Sequence, residues 1–322
     1  MESYCGLSNC GHSTSECLAW MIIQRGNMFL LFKGQESQVR PQFSNVWRLC
    51  IMQDAFIKCG IVLDSAVQEI MRLDTEFDYL EYAGEKVMCL RPRISATATE
   101  FNKYIDKLTA TMARDTKAFG HLNRFPHGRV ALYPTQHALP GYSVPRDIAG
   151  ILGVTTHSVY ANLWVNVDGK IKVWVRKADA TDHLFHHCFS GLELANDSDP
   201  IAALQRIVKE HGHKHDIKAV AKPQGHIAFT TVRDDTAGWV DKGTPEVGKV
   251  FIFDIAYLYS GFRFETSPYQ LMSPIKLRKA LFSLKFNPTS SLVILDFLLR
   301  HNFLDGVSPQ AIEKLTARLR YN

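Results

Sequence analysis

Apolar residues recur at helical spacing in some stretches of the chain and alternate with polar ones in others. Over 97–114, Phe101, Tyr104, Ile105, Leu108 and Met112 fall on one face of a 3.6-residue repeat, which predicts an amphipathic helix. Residues 158–167 and 170–176 alternate around Asp168-Gly169, a dipeptide suited to a two-residue turn, so they predict a β-hairpin. Asp199 is an N-cap type and Pro200 fits the first helical position; Ile201, Leu204, Ile207 and Val208 then share a face until Gly212 stops the helix.

The same reading predicts strands over 47–51 and 56–61, a helix capped by Asp64 or Ser65, and a hairpin around Gly84 within 77–91. A helix begins near Cys17, a short apolar strand or helix covers 28–32, and 130–133 is extended. Further strands are expected over 226–232 and 250–255, joined by a loop holding Trp239. Two helices finish the chain, from near Pro274 and near Thr289. The last is apolar nearly all round, with Leu292, Leu295, Phe297, Leu298 and Leu299, so it is expected to be buried between domains or against a partner.

This order gives an α+β protein: an N-terminal extension over 1–42, an α+β domain over 43–138, a Pro/Gly linker over 139–157, and a domain over 158–322 in the order of an α/β/α sandwich. At 322 residues the chain is long enough for two cores. No run of eighteen apolar residues occurs, so no membrane span is expected.

A formal charge of +5 permits a phosphate-containing ligand or RNA without arguing for either. Seven cysteines, an odd number at irregular spacing, fit a reducing intracellular compartment, cytoplasmic or mitochondrial. Cys5, Cys10, His12 and Cys17 match no common zinc spacing, and residues 1–18 read as a flexible terminus. His183, His186, His187 and Cys188 precede the 199–211 helix, while His211, His213 and His215 follow it. At 1.5 Å per residue the two groups are expected about 15 Å or more apart, too far for one metal.

The stretch from His183 to His215 resembles the Nudix box, G-x5-E-x7-R-E-U-x-E-E-x-G-U with U apolar. Counted from Gly191, the box carboxylate positions fall on Asp197, Arg206, Lys209 and Glu210, its arginine on Gln205, and its second glycine on Gly212. The flanks resemble a Nudix subfamily with an extra N-terminal domain, related to Nudix proteins fused to thiamine pyrophosphokinase. The matching segments are Trp47-Arg48 through Cys59-Gly60, Ala131-Leu132-Tyr133-Pro134, Leu152-Gly153-Val154, Val159-Tyr160-Ala161-Asn162 and Trp174-Val175-Arg176-Lys177. A long match runs from Asn287-Pro288 through Asp296 to Arg300-His301. The resemblance covers roughly 43–304 and implies a Nudix-type α/β/α sandwich with a smaller N-terminal α+β domain.

It also implies Mg2+-dependent pyrophosphate hydrolysis of a nucleoside- or thiamine-diphosphate-like substrate, with the metal held by helix carboxylates. Here the box is degenerate. Glu210 stays, Asp197 is a shorter stand-in, and Arg206 and Lys209 put positive charge where the metal would sit. The expectation is therefore a pseudoenzyme: no catalytic residue, no metal or other cofactor, and a scaffold retained for binding or assembly. Such a module has a protein partner and sits as a subunit of a larger complex, mitochondrial or RNA-related. Arg206, Lys209, Arg176 and Lys177 are candidate phosphate-binding residues. The alternative is an atypical Mg2+-dependent pyrophosphohydrolase using Glu210, Asp197 and Glu265.

Overall fold

The structure is a computed structural model. It describes residues 14–26, 46–52, 56–73, 76–119, 122, 128–134, 138–177, 184–214, 216–233, 244–256 and 268–320. The apolar stretch 28–32, the loop with Trp239, and Cys5, Cys10, His12, His183, His215 and Glu265 lie outside the described residues.

The helix α1 (Thr14–Gly26) is followed by the strands β1 (Val46–Met52) and β2 (Phe56–Leu63), helix α2 (Asp64–Leu73) and the hairpin β3 (Phe77–Tyr82) and β4 (Glu85–Leu90). Then come α3 (Pro92–Ser95), α4 (Ala98–Arg114), α5 (Thr116–Phe119), the short pair β5 (Arg129–Ala131) and β6 (Ser143–Pro145), and α6 (Arg146–Ala149). The four longer strands form a sheet in the order β2-β1-β4-β3, parallel only between β1 and β4.

Helix α4 starts where Thr97 accepts a hydrogen bond from the Glu100 N–H, an N-cap that satisfies one orphan donor. Its buried residues are the five that the periodicity picked out, and they pack with Leu49, Ile51, Met88 and Leu90 of the sheet. The stretch 139–157 is structured: it holds β6 and α6, and Val144, Ile148, Ile151 and Leu152 belong to this same core.

The larger unit is built on the hairpin β7 (Thr156–Val167) and β8 (Lys170–Lys177). Asp168 and Gly169 both have positive φ, +53° and +75°, as a primed turn requires. Beyond Leu163 the two strands splay. Into the opening runs β9 (Phe185–His187), paired with β8, then a kink at Cys188, then β10 (Phe189–Leu192), paired with β7. Next follow α7 (Pro200–Glu210), β11 (Ala221–Arg233), β12 (Thr244–Ala256), β13 (Tyr269–Met272) and the helices α8 (Pro274–Phe282), α9 (Pro288–Arg300) and α10 (Pro309–Arg320). The main sheet order is β11-β12-β7-β8-β13.

Helices cover both faces of this sheet. On one side α7 packs Ala203, Leu204, Ile207 and Val208 against Val159, Ala161, Leu163 and Phe253. On the other, α8, α9, α10 and α1 cover Val173, Val175, Ile227, Val250 and Ile252. The fold class is therefore the expected one, an α/β/α sandwich with a smaller α+β domain. Every residue of α9 from Thr289 to Leu299 is buried, which answers its apolar circumference with intramolecular packing rather than a partner surface.

Besides β6 and α6 in the stretch expected as a linker, and the short helices α3 and α5, further elements differ from the sequence reading. Helix α10 and strand β13 were not foreseen. The stretch set apart as an N-terminal extension supplies α1, whose Ala19, Ile22 and Ile23 are buried in the core of the sandwich. The buried Glu16 of α1 accepts hydrogen bonds from the Ser308 N–H and hydroxyl, just before α10.

Candidate functional site

Strand β10, the loop after it and α7 form the stretch that resembles the box. Gly191 is needed for close packing: a Cβ there would lie 2.9 Å from Cδ1 of Ile207. Asp199 caps α7 by accepting from the Ala202 N–H at 2.7 Å, and Gly212 ends it at φ +81°. The loop between is pinned by Asp197, whose Oδ2 accepts from the Leu194 N–H at 2.8 Å.

At the centre stands Arg206. Its Nε and Nη2 donate to Asp197 at 3.1 and 2.9 Å, a forked pairing that matches a carboxylate. Nη1 donates to Glu210 at 2.9 Å, one turn along the helix, and Nη2 also donates to the Leu192 carbonyl at 2.7 Å. The Asp197 side chain is only 8% exposed, against 56% for Glu210. Burial works against the guanidinium charge, but the bonds from Asp197 and Glu210 outweigh it and hold Arg206 protonated more firmly than usual. The positive charge between these two carboxylates is thus supplied by a side chain.

A divalent ion does not fit this arrangement. Mg2+ requires about six oxygens at roughly 2.0–2.1 Å, and here the guanidinium lies between the oxygens that would converge on it. Among the described residues no three His, Cys, Asp or Glu side chains are placed to share a metal.

The other candidates are dispersed. Lys209 is exposed on α7 one turn after Arg206 and takes part in no ion pair among the described residues. Arg176 lies on β8, paired in register with His186 of β9 and Tyr269 of β13, and Lys177 is exposed at the strand's end. Arg206 is anchored at Leu192, opposite Ser158 on β7, whereas β8 has already left β7 by Val175. The structure therefore joins Arg206, Asp197 and Glu210, and leaves Arg176, Lys177 and Lys209 outside that cluster.

The two histidine groups are separated for a different reason than helix length. The strand–loop–helix doubles back, so Phe189 of β10 sits 5.8 and 5.4 Å from the rings of His211 and His213. His187, two residues from Phe189, points through the opposite face of the sheet, to Asn162 and Ser290. The sheet itself divides His187 from His211 and His213, while Cys188 lies in the core on the α7 side.

Beside the clamp is a group that the sequence reading passed over. Tyr133, from the loop after β5, stacks on His157 of β7 with ring centroids 3.5 Å apart. Glu193 is 8% exposed, and its Oε2 lies 3.3 Å from His157 Nδ1 without the alignment of a hydrogen bond. Burial, then the charges of Glu193 and Asp197, push the Tyr133 phenol up to about 12. One signal was available: Glu193 is a lone acid between the apolar Leu192 and Leu194.

A second polar network crosses the far side of the sheet. His187 Nε2 is 3.1 Å from Asn162 Oδ1, and Nδ1 is 3.2 Å from Ser290 Oγ. Asn162 donates its amide N–H to Asp254 at 2.9 Å. Arg300 donates to Asp254 at 2.6 and 3.1 Å and to Asp296 at 2.7 Å, and Arg320 donates to Asp296 from Nε and Nη2. Burial would raise the Asp254 carboxyl, but His301, Arg300 and Asn162 hold it below its usual range. Asn162, Asp296, Arg300 and His301 are among the motif residues that matched best by sequence, and they hold β7 and β12 to α9 and α10 instead of lining the box.

No family model matches the chain. An uncharacterized protein of Saccharomyces cerevisiae, YJR142W, is 24% identical over 277 residues, which cover 80% of this chain and 79% of that protein. Among solved structures, an Ap4A hydrolase of C. elegans is 14% identical with a TM-score of 0.29, covering 39% of this chain and 86% of its own. The NUDIX domain of Shewanella oneidensis NrtR, complexed with ADP ribose, is 11% identical with a TM-score of 0.33, covering 46% and 89%. The E. coli dihydroneopterin triphosphate pyrophosphohydrolase is 15% identical with a TM-score of 0.32, covering 45% and 95%. These are likenesses to Nudix proteins at low overlap, and the chemistry of the site rests on Arg206, Asp197 and Glu210 themselves.

Proposed function

We propose that the chain is a non-catalytic Nudix-type module, a scaffold for binding or assembly with a protein partner. One observation carries this: the Arg206 guanidinium is clamped by Asp197, Glu210 and the Leu192 carbonyl where carboxylates would otherwise gather on a divalent ion. Pyrophosphate hydrolysis by metal ions needs cations that hold the phosphate oxygens and generate hydroxide. A guanidinium carries half the charge of Mg2+ and offers no site for a water nucleophile. Phosphate binding through Arg206 is disfavoured for the same reason, because its forked donors already face Asp197.

The test is titration calorimetry with Mg2+ and Mn2+, alongside phosphate release from dinucleotide and thiamine diphosphate substrates. Neither stoichiometric metal uptake nor turnover above background is expected. Metal-dependent turnover that disappears in Glu210→Gln would overturn the reading in favour of an atypical pyrophosphohydrolase using Glu210, Asp197 and Glu265.

A further inference from the structure

Between Glu265 and Asp296 the sequence contains no acidic residue, while Lys276, Arg278, Lys279 and Lys285 are all cationic. Arg278 is paired with Asp305. Lys276, Lys279 and Lys285 are exposed and take part in no ion pair among the described residues. What sets them apart is the absence of any acidic residue over thirty positions of sequence around them.

The same segment exposes aliphatic surface. Leu277, Ala280 and Leu281 bury one face of α8. At 100° per residue the opposite ridge carries Ile275, Lys279 and Phe282, with Lys276 at its flank. Ile275 is 70% exposed. Past the helix end, Leu284 is 43% exposed at φ +53°. Its N–H donates to the Leu281 carbonyl and the Lys285 N–H donates to the Ala280 carbonyl, the Schellman pattern. Glycine or asparagine suits that left-handed position better than leucine. The chain instead holds a strained leucine there and turns it to solvent.

Lys177 continues the strip. It pairs with Phe185 across β8 and β9, and the Phe185 N–H donates to the Lys285 carbonyl at 2.7 Å. Two strand spacings of about 4.8 Å separate Lys177 from Lys285.

We propose that α8 and its C-terminal turn, with Lys177 beside them, dock on the surface of an anionic lipid bilayer. Ile275 and Leu284 are the exposed aliphatic side chains of this surface, which suits insertion among acyl chains just below the headgroups. Its free cations are all lysines, point charges on flexible apolar stems that can stay in the headgroup layer while the stems lie in apolar surroundings. Nucleic acid would call for arginine forks and exposed aromatic rings. The one arginine of α8 is committed to Asp305.

The experiment is co-sedimentation of the full chain with vesicles of phosphatidylcholine alone and with vesicles about one-third phosphatidylserine. Binding is expected only to the anionic vesicles, weakening about fivefold for each lysine reversed or removed. The triple variant Lys276→Glu, Lys279→Glu, Lys285→Glu should lose it, and Ile275→Ser should weaken it about tenfold at unchanged melting temperature. Lys218→Glu, at an exposed lysine outside this surface, should bind as the parent does. Equal binding to neutral and anionic vesicles, or binding unaffected by the triple variant, overturns the proposal. So does binding of a single-stranded RNA or an acidic peptide that the triple variant abolishes while neither vesicle sediments the protein.

Discussion

The backbone N–H of Ile61 donates to the carbonyl of Gly153 at 2.9 Å, joining β2 to the segment that leads into β7. The two chains meet too closely for a side chain. Gly153 has φ +54°, and a Cβ on it would lie 1.7 Å from the Ile61 carbonyl oxygen; one on Gly60 would lie 2.4 Å from the Leu152 carbonyl oxygen. Gly153→Ala should therefore destabilise by about 3 kcal/mol or more, through both the left-handed backbone and the displaced strand. Urea unfolding measures this. A midpoint within error of the parent would mean that the seam closes without the glycines.

Arg206→Ala would leave the Asp197 carboxylate and the Leu192 carbonyl without their donor. Removing one partner of a largely buried ion pair costs about 3–5 kcal/mol when burial is complete. The Arg206 side chain is 28% exposed, so about 2 kcal/mol is expected. Chemical denaturation of this variant beside Glu210→Gln separates the two arms of the clamp, and the second should cost less than half as much.

Exchanging charge at the same position gives a different result. Arg206→Glu places a third carboxylate between Asp197 and Glu210, with two of the three at one-turn spacing. Weak Mn2+ binding is expected to appear, seen as loss of the free-ion signal in electron paramagnetic resonance. A variant that is folded yet leaves the free Mn2+ signal unchanged would show that the carboxylates cannot converge even when the guanidinium is gone.

Burial, then the neighbouring His186, lower His187 from 6.5 to about 3. A histidine lowered in the folded state takes up its proton chiefly in the unfolded chain. Its contribution to stability is complete above pH 6.5 and is lost progressively as pH falls toward 3. The neutral ring also has a defined tautomer: Nε2–H donates to Asn162 and Nδ1 accepts from the Ser290 hydroxyl. Stability should fall by about 1.4 kcal/mol for each pH unit below 6. His187→Gln should flatten that slope while lowering stability at pH 7. An unchanged slope in the variant would assign the acid sensitivity to other groups.

Arg300 links Asp254, on the interior strand β12, to Asp296 of α9. Arg300→Ala strips both, and Arg320 still holds Asp296, so Asp254 bears the larger loss. About 3 kcal/mol is expected by urea titration. Phosphate release and vesicle binding should be unaltered in the folded fraction.

Periodicity placed α4, the β7–β8 hairpin and α7 because each carries its own local signal: a cap, a turn dipeptide, a repeating face. Strand β13, four residues long, lacked such a signal and is held by packing on β8; helix α10 carried one, Ser308-Pro309 at its start and Ala311, Ile312, Leu315 and Leu319 along one face, and it went unread. The box frame was legible by counting from Gly191. The clamp was not, because the reach of Arg206 back to Asp197 depends on how the 193–198 loop folds over the helix. His157 and Tyr133 were invisible for a stronger reason. Tyr133 comes from the smaller unit and reaches His157 and Glu193, which β7 and β10 hold together, only once the two units are assembled. The best-matched motif, 287–301, was recognised by sequence, yet its polar residues serve cohesion rather than the site.

The placement of α1 bears on the order of assembly. Glu16 and Ser308 are 292 residues apart in the chain and in contact in the fold. A nascent polypeptide delivers α1 well before α9 and α10, so the layer that covers one face of the main sheet stays incomplete until those two helices have emerged. Until then Ala19, Ile22 and Ile23 have nowhere to dock, and the emerging sheet leaves an apolar face open to water and to other chains. Loop closure over so many residues slows folding far more than it weakens the folded state. The smaller α+β domain, wholly contained between the two halves of this contact, is free to fold early.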